Sequence, residues 1–312
     1  MKRILFTGGG GAAAEAIFRL LGDRYDLHFA DGDRDAIAPT IPPARRHRAP
    51  LARDPAFVEG MAALARELKI DVIVPGVDEE LVALAENAAR LAPARLLLPS
   101  AEFVALHLDK LASMRALAAH GLSHPQTVPI ADAASVDAPF IAKPRSGRGS
   151  RGVEKLQAHD EIPAYLKLYR RKADEVIAQA LVAGQEYTVF VAADDQARLR
   201  AVVPVKVGSK KGVTIAAETE AHAGVIAYAK AFQQAFGARG VYNIQLMLKD
   251  GVCYPFEINP RVSTTFCLVL AEGYDPFADL TAAFGGEPYV PRRRVTLRRN
   301  WFNHFGGDLP PA

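Results

Sequence analysis

The chain has 312 residues and a formal net charge of +3, with half of its residues hydrophobic and 23% charged. This composition indicates a folded globular protein and excludes wholesale disorder. Five arginines lie within residues 291–312 beside a single acid, so the remainder of the chain is close to neutral. A general nucleic-acid-binding protein needs an extended basic face, which this distribution excludes. Of two interpretations of the C-terminal arginines, an anion site and a solvated strand, we favour the strand.

The two cysteines, Cys253 and Cys267, have no zinc-binding spacing and allow a single pairing, which is not a disulfide framework. A reduced, cytoplasmic location fits this cysteine usage. The N-terminal apolar run is too short for a signal peptide, and no stretch approaches the ~20 apolar residues that span a bilayer. We therefore expect a soluble protein with no membrane or nucleic-acid partner, and a homodimer is compatible with the sequence.

Strand and helix patterns alternate over the first 108 residues. The predicted strands are Arg3–Thr7, Asp26–Ala30, Asp71–Val74 and Arg95–Leu98, and the predicted helices are Ala12–Leu21, Pro55–Leu68 and Glu79–Leu91. Helices of this length between strands predict right-handed crossovers and a parallel sheet. A proline- and arginine-rich stretch, residues 39–48, interrupts the pattern and is interpreted as a surface loop.

The pattern becomes α+β after about residue 108. Predicted here are the helices Leu108–His120, Ile162–Arg171 and Ala221–Phe236, and the strands Pro139–Lys143, Val176–Ala180, Tyr187–Ala193, Leu199–Val207, Val241–Lys249 and Gly251–Ile258. The turn signals Asp194-Asp195 and Asp250-Gly251 between apolar runs indicate antiparallel hairpins. The predicted fold class is therefore α/β followed by α+β.

A glycine run follows the first predicted strand. Gly8, Gly10 and Ala13 satisfy the G-x-G-x-x-G/A pattern, and Asp31 and Asp33 lie about 20 residues further on, where a dinucleotide-binding domain holds a ribose. The pattern is short, so a tight strand-to-helix turn is the preferred interpretation. NAD binding, and with it an oxidoreductase, is kept as an alternative.

The segment FEINPR, residues 256–261, places a carboxylate and an amide on one face of a strand. Glu257 and Asn259 are two residues apart, and such side chains point the same way. Oxygen ligands suit Mg²⁺, and Arg261 could bind a phosphoryl group. In a hairpin around Lys249-Asp250-Gly251, Gln245 would lie close to Glu257 and could face the same metal. The competing interpretation is the polar end of a sheet.

Two further segments have features of a nucleotide site. Lys143 ends an apolar strand, where burial without an anionic partner is costly, and the loop SGRGSRG follows it. Its glycines and free N–H groups could cover phosphates, although the pattern is not a P-loop. Downstream, in IAQALVAGQEYTV, the backbone of a link between two strands could read an adenine edge, and Glu186 could bind ribose hydroxyls. A flexible loop and an exposed edge turn are the structural alternatives.

The order of these segments resembles the ATP-grasp superfamily, nearest to proteins like the large subunit of carbamoyl-phosphate synthase. The resemblance covers nearly the whole chain. It implies a Rossmann-like pre-ATP-grasp domain at 1–108, a small ATP-grasp lobe with a glycine-rich flap at 109–182, and a large lobe with the metal site at 183–312. Glutamine at the first metal position, Gln245, points to the carbamoyl-phosphate-synthase-like branch.

The resemblance also implies roles for individual residues. Lys110 and Lys143 correspond to the two ATP lysines, and Ser146, Gly147 and Gly149 belong to the flap. The adenine-facing hinge corresponds to Gln179, Ala180, Leu181 and Val182, and the ribose acid to Glu186. The Mg²⁺ ligands are Gln245, Glu257 and Asn259, with Mn²⁺ as an alternative metal, and Arg261 is the arginine that contacts phosphate.

A catalytic lysine is expected in Val202–Thr214. Lys206 lies on a predicted strand and is preferred, whereas Lys210 and Lys211 are placed on a glycine-flanked loop. The resemblance implies an ADP-forming ligase that joins a small-molecule carboxylate to an amine or a thiol through an acylphosphate, with ATP and Mg²⁺. The acceptor would meet Gly8–Gly11 or the turn at residues 76–80. A non-catalytic ATP-binding regulatory protein on the same fold is the alternative from another class.

Overall fold

The structure is a computed structural model and describes residues 1–283 and 285–301. Its strands form three sheets, one parallel and two antiparallel, which confirms the predicted mixed α/β and α+β class. Asp308, the one acid beside the C-terminal arginines, lies outside the described residues, as does the end of the predicted large lobe. None of the helices in the described part of the chain has the length and apolar character needed to cross a bilayer.

The N-terminal part forms a five-stranded parallel sheet in the order β3-β2-β1-β4-β5. Its strands are β1 (Arg3–Thr7), β2 (Asp26–Asp31), β3 (Arg46–Arg48), β4 (Val72–Val74) and β5 (Arg95–Leu96), and its helices are α1 (Ala14–Leu21), α2 (Phe57–Glu67), α3 (Asp78–Glu86) and α4 (Ala101–Leu108). The strand order reverses at β1, and ligands of such sheets bind at that point, beyond the carboxyl ends of the strands. The loops after β1 and β4 therefore meet at one edge.

The middle of the chain forms a four-stranded sheet in the order β6-β9-β7-β8. Its elements are α5 (Lys110–Ala119), β6 (Thr127–Pro129), β7 (Phe140–Pro144), β8 (Glu154–Leu156), α6 (Ile162–Tyr169) and β9 (Val176–Ala180). We call this region, residues 110–180, the small lobe. Its apolar core contains Phe140 and Tyr165 and is separate from the cores of the other two sheets.

The remaining strands form a six-stranded antiparallel sheet in the order β14-β13-β10-β11-β12-β15. Its elements are β10 (Gln185–Ala193), β11 (Leu199–Lys211), β12 (Val213–Thr219), α7 (Ala223–Phe236), β13 (Gly240–Lys249), β14 (Val252–Asn259), α8 (Phe266–Glu272), α9 (Pro276–Asp279) and β15 (Thr296–Arg298). We call this region, residues 185–298, the large lobe. Phe6 and Phe29 share one core with Phe190, Phe266 and Phe277, so the parallel sheet and the large lobe are packed together.

Several local predictions differ from the structure. The predicted helix Leu108–His120 begins at Lys110, because the Asp109 side chain accepts hydrogen bonds from the N–H groups of Leu111 and Ala112 and caps it, and a separate helix that was not predicted, Ala101–Leu108, precedes it. Part of the predicted surface loop, residues 46–48, is an edge strand of the parallel sheet. Lys210 and Lys211 end β11 rather than lying on a loop, because the chain turns at Gly212, where φ is +71°.

The C-terminal arginines form part of a strand and its surroundings, as favoured from the sequence. Residues 296–298 pair with β12. Arg294 forms an ion pair with Glu218, and Arg293 donates hydrogen bonds to the carbonyls of Ala271 and Glu272. Arg299 donates to carbonyls of Ala12, Thr214 and Thr264, and so connects the glycine loop to the large lobe. These guanidinium groups therefore have structural partners.

Candidate active site

Two adjoining cavities lie where the three sheets meet. The first cavity, of about 250 Å³, lies between the small and the large lobe. The second cavity, of about 520 Å³, lies between the carboxyl edge of the parallel sheet, the loop after β7 and the large lobe. The residues that line both are Arg148, Ser150, Lys210, Gln245 and Glu257. A ligand in the first cavity could therefore react with a ligand in the second across this shared boundary.

Lys110 is held at this boundary by the start of α5. Its side chain is only 7% exposed, its Nζ lies 3.2 Å from Glu257 Oε1, and it donates to the carbonyl of Gly147 at 2.8 Å. The break at Asp109 directs the first residue of the new helix toward the cleft. From the sequence alone Lys110 is an ordinary helix lysine, so its burial and its pairing with a candidate metal ligand are structural findings.

Lys143 projects from β7 into the first cavity and is 4% exposed. Its Nζ donates to Gln179 Oε1 at 2.8 Å and to the carbonyl of Phe256 at 2.9 Å, and it lies 5.5 Å from the centre of the Phe256 ring. Burial lowers the pKa of Lys143 to about 7; Glu257 opposes this shift and Lys110 adds to it. A phosphate group would provide the anionic partner that this ammonium lacks.

A bulge in β14 brings the candidate metal ligands to the cleft. Gln245 lies opposite Glu257 in the register, and the next pair along the ladder joins Leu246 to Pro255, which leaves Phe256 as the extra residue. As a result Phe256 and Glu257, although adjacent in sequence, both line the cavities. Asn259, two residues beyond Glu257, lies on the same face and lines the second cavity. The cross-strand prediction for Gln245 and Glu257 is confirmed at the level of the register.

Each of these three oxygen-bearing side chains lies beside a cationic nitrogen. Glu257 is 3.2 Å from Lys110, Gln245 Oε1 is 3.5 Å from Lys210 Nζ, and Asn259 Oδ1 accepts from Arg261 at 3.3 Å. Carboxylate and amide oxygens are the ligands that Mg²⁺ prefers, usually completed by water and substrate phosphates. Among the described residues no group of three histidines, cysteines or acids could hold a metal. The chemistry of the donor set therefore fits a hard cation bound partly by its substrate.

Arg261 is oriented by the N-terminal part of the chain. Its Nε donates to Asp78 Oδ1, at the first turn of α3, and its other donors reach Asn259 and the carbonyl of Val262. Both side chains of the ion pair are largely buried. The sequence did not indicate Asp78 as a partner of Arg261, because the two lie 183 residues apart and only the docking of the parallel sheet joins them.

Lys210 is the lysine of its segment that reaches the cleft. Its Nζ forms an ion pair with Glu186, and it lines both cavities. Lys206, four residues earlier on β11, lies 3.9 Å from Glu220 and lines neither cavity. The structure therefore does not bring Lys206 to the other site residues. Lys211 is exposed and lines neither cavity.

The hinge between the lobes forms the apolar part of the first cavity. Ala180, Leu181 and Val182 line it. Facing them are the apolar side chains of Ile141, Val153, Met247, Tyr254 and Phe256. Gln179 also lines this cavity, and its side chain accepts from Lys143 and donates to Thr127. A flat aromatic base fits such an apolar slot, and the phosphates would extend toward the lysines.

The loop after β7 covers both cavities. Gly147 lines the first cavity, Gly149 lines the second, and both have positive φ, which favours glycine. Arg148 lines both and pairs with Glu79 of α3 at 2.8 Å. Ser146 is exposed and lines neither cavity. The loop thus spans from the small lobe to the N-terminal part of the chain.

The backbone N–H groups of the glycine run after β1 donate hydrogen bonds to nearby groups of the protein. Gly9 donates to the carbonyl of Ala30, Gly10 to Asp31 Oδ2 at 3.0 Å, and Gly11 to the carbonyl of Gly8. A dinucleotide-binding loop needs such groups for a pyrophosphate. Their internal use favours the interpretation of this run as a tight turn.

The site geometry agrees with what comparisons with known proteins show. A family model described as the ATP-grasp domain matches residues 107–265, about half of the chain. The chain belongs to the ATP-grasp family. The matched region contains the small lobe and most of the strands of the large lobe, together with every candidate residue from Lys110 to Arg261.

Individual relatives of this ATP-grasp protein are distant. A D-alanine–D-alanine ligase of Geobacter sulfurreducens is 25% identical over 189 residues, which are 54% of this chain and 59% of that enzyme. A formate-dependent phosphoribosylglycinamide formyltransferase of Bifidobacterium adolescentis is 28% identical over 304 residues, 86% of this chain and 73% of that enzyme. This chain thus spans less than two thirds of the first relative.

A solved structure supports the fold over almost the full length. The carboxyaminoimidazole ribonucleotide synthase of Aspergillus clavatus, solved with ATP, has a TM-score of 0.71 at 16% identity and covers 95% of this chain and 81% of its own. At this identity the likeness concerns the fold. The ATP-grasp prediction is confirmed, whereas the carbamoyl-phosphate-synthase-like branch, the domain bounds and the site roles stay predictions.

Proposed function

We propose that this ATP-grasp protein is an ATP-dependent, ADP-forming ligase that joins a carboxylate to an amine, or to a thiol, through an acylphosphate. The observation that carries the proposal is a set of three oxygen-bearing side chains that each lie beside a cation: Gln245 and Glu257 at the boundary between the cavities, and Asn259 in the second cavity. Alternating positive and oxygen-bearing groups suit a metal–triphosphate. The cationic side chains would bind the phosphates, and the oxygen-bearing side chains would bind the metal. The proteins named above include one ligase and one synthase solved with ATP.

In this proposal the first cavity binds ATP. The base lies against the apolar hinge at residues 180–182, and Glu186 accepts hydrogen bonds from the ribose hydroxyls. Glu186 is paired with Lys210 in this structure, so ribose binding would free that lysine. Lys143, which lacks an anionic partner of its own, then binds phosphate oxygens, and the loop at residues 146–152 closes over them.

The carboxylate substrate would lie in the second cavity and attack the γ-phosphorus. Lys210 and Arg261 neutralise charge on the transferring phosphoryl group, and positioning and charge neutralisation are the main protein contributions to such a transfer. Gln245, Glu257 and Asn259 would hold Mg²⁺, which would supply positive charge beside the phosphates. Closure of the loop excludes water, which would otherwise hydrolyse the acylphosphate.

ADP release tests the proposal directly. The protein is incubated with Mg-ATP and panels of carboxylates and amines, and products are identified by mass spectrometry. Glu257→Gln serves as the inactive variant, and Glu218→Gln, which removes an acid of β12 outside both cavities, serves as the matched control. ATP binding without ADP release in every panel would favour the regulatory alternative. A nicotinamide spectral signal without ADP would favour the oxidoreductase.

A further inference from the structure

The second cavity has walls of opposite charge. Within residues 1–98, all of which the structure describes, the charged residues that line it are Asp31 and Glu80, both acids. From the loop after β7 and the large lobe it receives three cations, Arg148, Lys210 and Arg261, and one acid, Glu257, which is paired with Lys110. Arg48 and Arg53 line an adjacent, shallower cavity at the rim and not this wall. A substrate would therefore meet negative charge on one side and phosphate-binding cations on the other.

Glu80 has one carboxylate oxygen that the protein does not use. Its Oε1 accepts hydrogen bonds from the hydroxyl of Thr7 and from the N–H groups of Gly76 and Val77, at 3.0 and 3.1 Å for the latter two. The hydrogen bonds that Glu80 accepts in the described part of the chain all go to Oε1, and the residue lines the second cavity, so its Oε2 is open to a ligand there. Both oxygens of Asp31, by contrast, accept backbone N–H groups. Glu80 is therefore the acid with free capacity for a ligand.

The position of Glu80 relates it to the phosphate site. It lies two residues after Asp78 on α3, and Asp78 holds Arg261. Side chains two residues apart on a helix point in different directions, but Glu80 and Arg261 both line the second cavity. A small molecule could thus contact Glu80 with one end while its reacting atom lies near the acyl group that Arg261 and Lys210 serve.

Burial raises the pKa of Glu80 to about 7, and the nearby Asp31 adds to the shift, while the Thr7 hydroxyl and two backbone N–H groups oppose it. Asp78, at the start of the same helix, is paired with Arg261. A carboxylate that titrates near neutral pH is suited to accept a proton from a bound group and to release it again.

We propose, on the basis of the function proposed above, that the second substrate is a primary amine and that Glu80 binds its ammonium group and removes a proton from it. The amine nitrogen then attacks the acylphosphate carbon, the C–N bond forms and the bond from carbon to the phosphate oxygen breaks. One proton resides on Glu80 and the second leaves with inorganic phosphate. Among carboxylate–amine and carboxylate–thiol ligases, the acidic wall thus selects the amine class, because a carboxylate repels a thiolate.

The variant Glu80→Gln is used to measure two steps separately, formation of the acylphosphate and its reaction with the amine. Glutamine keeps an oxygen that can accept from Thr7, Gly76 and Val77, so the cap of α3 is retained. With the carboxylate that gives the highest ADP release, hydroxylamine, which is largely uncharged near neutral pH, traps the acylphosphate as a hydroxamate. Each of the twenty L-amino acids is then supplied as the amine. Glu86→Gln, the same change at an exposed position of α3, is the control.

We expect Glu80→Gln to form hydroxamate within about twofold of the unchanged protein, while kcat/KM for the amine falls about 100-fold, as expected for loss of a general base. Glu80→Asp, which retains the charge one methylene short, should give a smaller loss confined to the amine step. Amine kinetics that are unchanged in Glu80→Gln would overturn the role, as would equal losses of hydroxamate and amide. Failure of the unchanged protein to release ADP with any carboxylate would instead refute the ligase function.

Discussion

Replacing Lys143 with methionine tests the buried charge at the centre of the first cavity. The pKa of this lysine is lowered to about 7 because the ammonium is buried and its partners are neutral oxygens. At about pH 8, one unit above that value, roughly a tenth of the molecules carry a charge there. The phosphates of ATP favour the charged form and raise the pKa again. ATP binding at this pH should therefore take up close to one proton, about 0.9, per site.

The same linkage sets the sign of the pH dependence. Below about pH 7 Lys143 is already protonated in the free protein, so ATP binding takes up little further proton. Above that pH the proton must be acquired on binding, and ATP affinity should fall by up to about tenfold, or about 1.4 kcal/mol, per pH unit. Lys143→Met has no proton to acquire, so its weaker ATP affinity should lack this dependence.

Isothermal titration calorimetry of Mg-ATP in buffers of different ionisation enthalpy measures the uptake. The observed enthalpy is plotted against the buffer enthalpy, and the slope gives the number of protons. Lys155→Met, the same change at an exposed position of the small lobe, should retain the slope of the unchanged protein. A slope near zero in the unchanged protein at about pH 8, or an equal slope in Lys143→Met, would refute the reasoning.

Four further substitutions, in three experiments, address the rest of the site. Glu257→Gln should lower ADP formation at least about 100-fold and leave the fold intact, because it removes the only formal negative charge among the proposed metal ligands; full turnover at saturating Mg²⁺ would contradict this assignment. Lys210→Ala should lower kcat about 100-fold, whereas Lys206→Ala should stay within about twofold in the same single-turnover assay; the reverse order would return the catalytic role to Lys206. Asp78→Asn should lower kcat about tenfold, because Arg261 loses the charged partner that orients it, with little change in ATP affinity by titration; a normal kcat would show that Arg261 is oriented without it.

Much of the strand and helix pattern could be predicted because it depends on local periodicity. Arg3–Thr7 and Val176–Ala180 were predicted with the bounds that the structure shows, and both are apolar runs buried over most of their length. The break at Asp109 and the strand Val213–Thr219 were missed. The break depends on the side chain of Asp109, which caps the following helix although the local composition is helical. The strand depends on a hairpin that Gly212 allows although the local composition is typical of a loop.

The sequence by itself determined the chemistry available at the candidate site. The spacing of Glu257 and Asn259 and the hairpin that faces them with Gln245 follow from the two-residue period of a strand and from a turn at Asp250-Gly251, which are local properties. Their order along the chain, together with Lys110 and Lys143, was enough to predict the ATP-grasp family. Residues close in sequence thus indicated which groups could act.

Only the tertiary structure decided which of these groups meet. Lys110 pairs with Glu257, and Asp78 with Arg261, across separations of more than 140 residues, and the choice of Lys210 over Lys206 depends on which part of β11 borders the cleft. Glu80 likewise shares a cavity with Lys210 and Arg261 only because the parallel sheet is packed on the large lobe. Such contacts result from burial of shared apolar surface between distant segments, and that surface carries no local signal of the partner it will find.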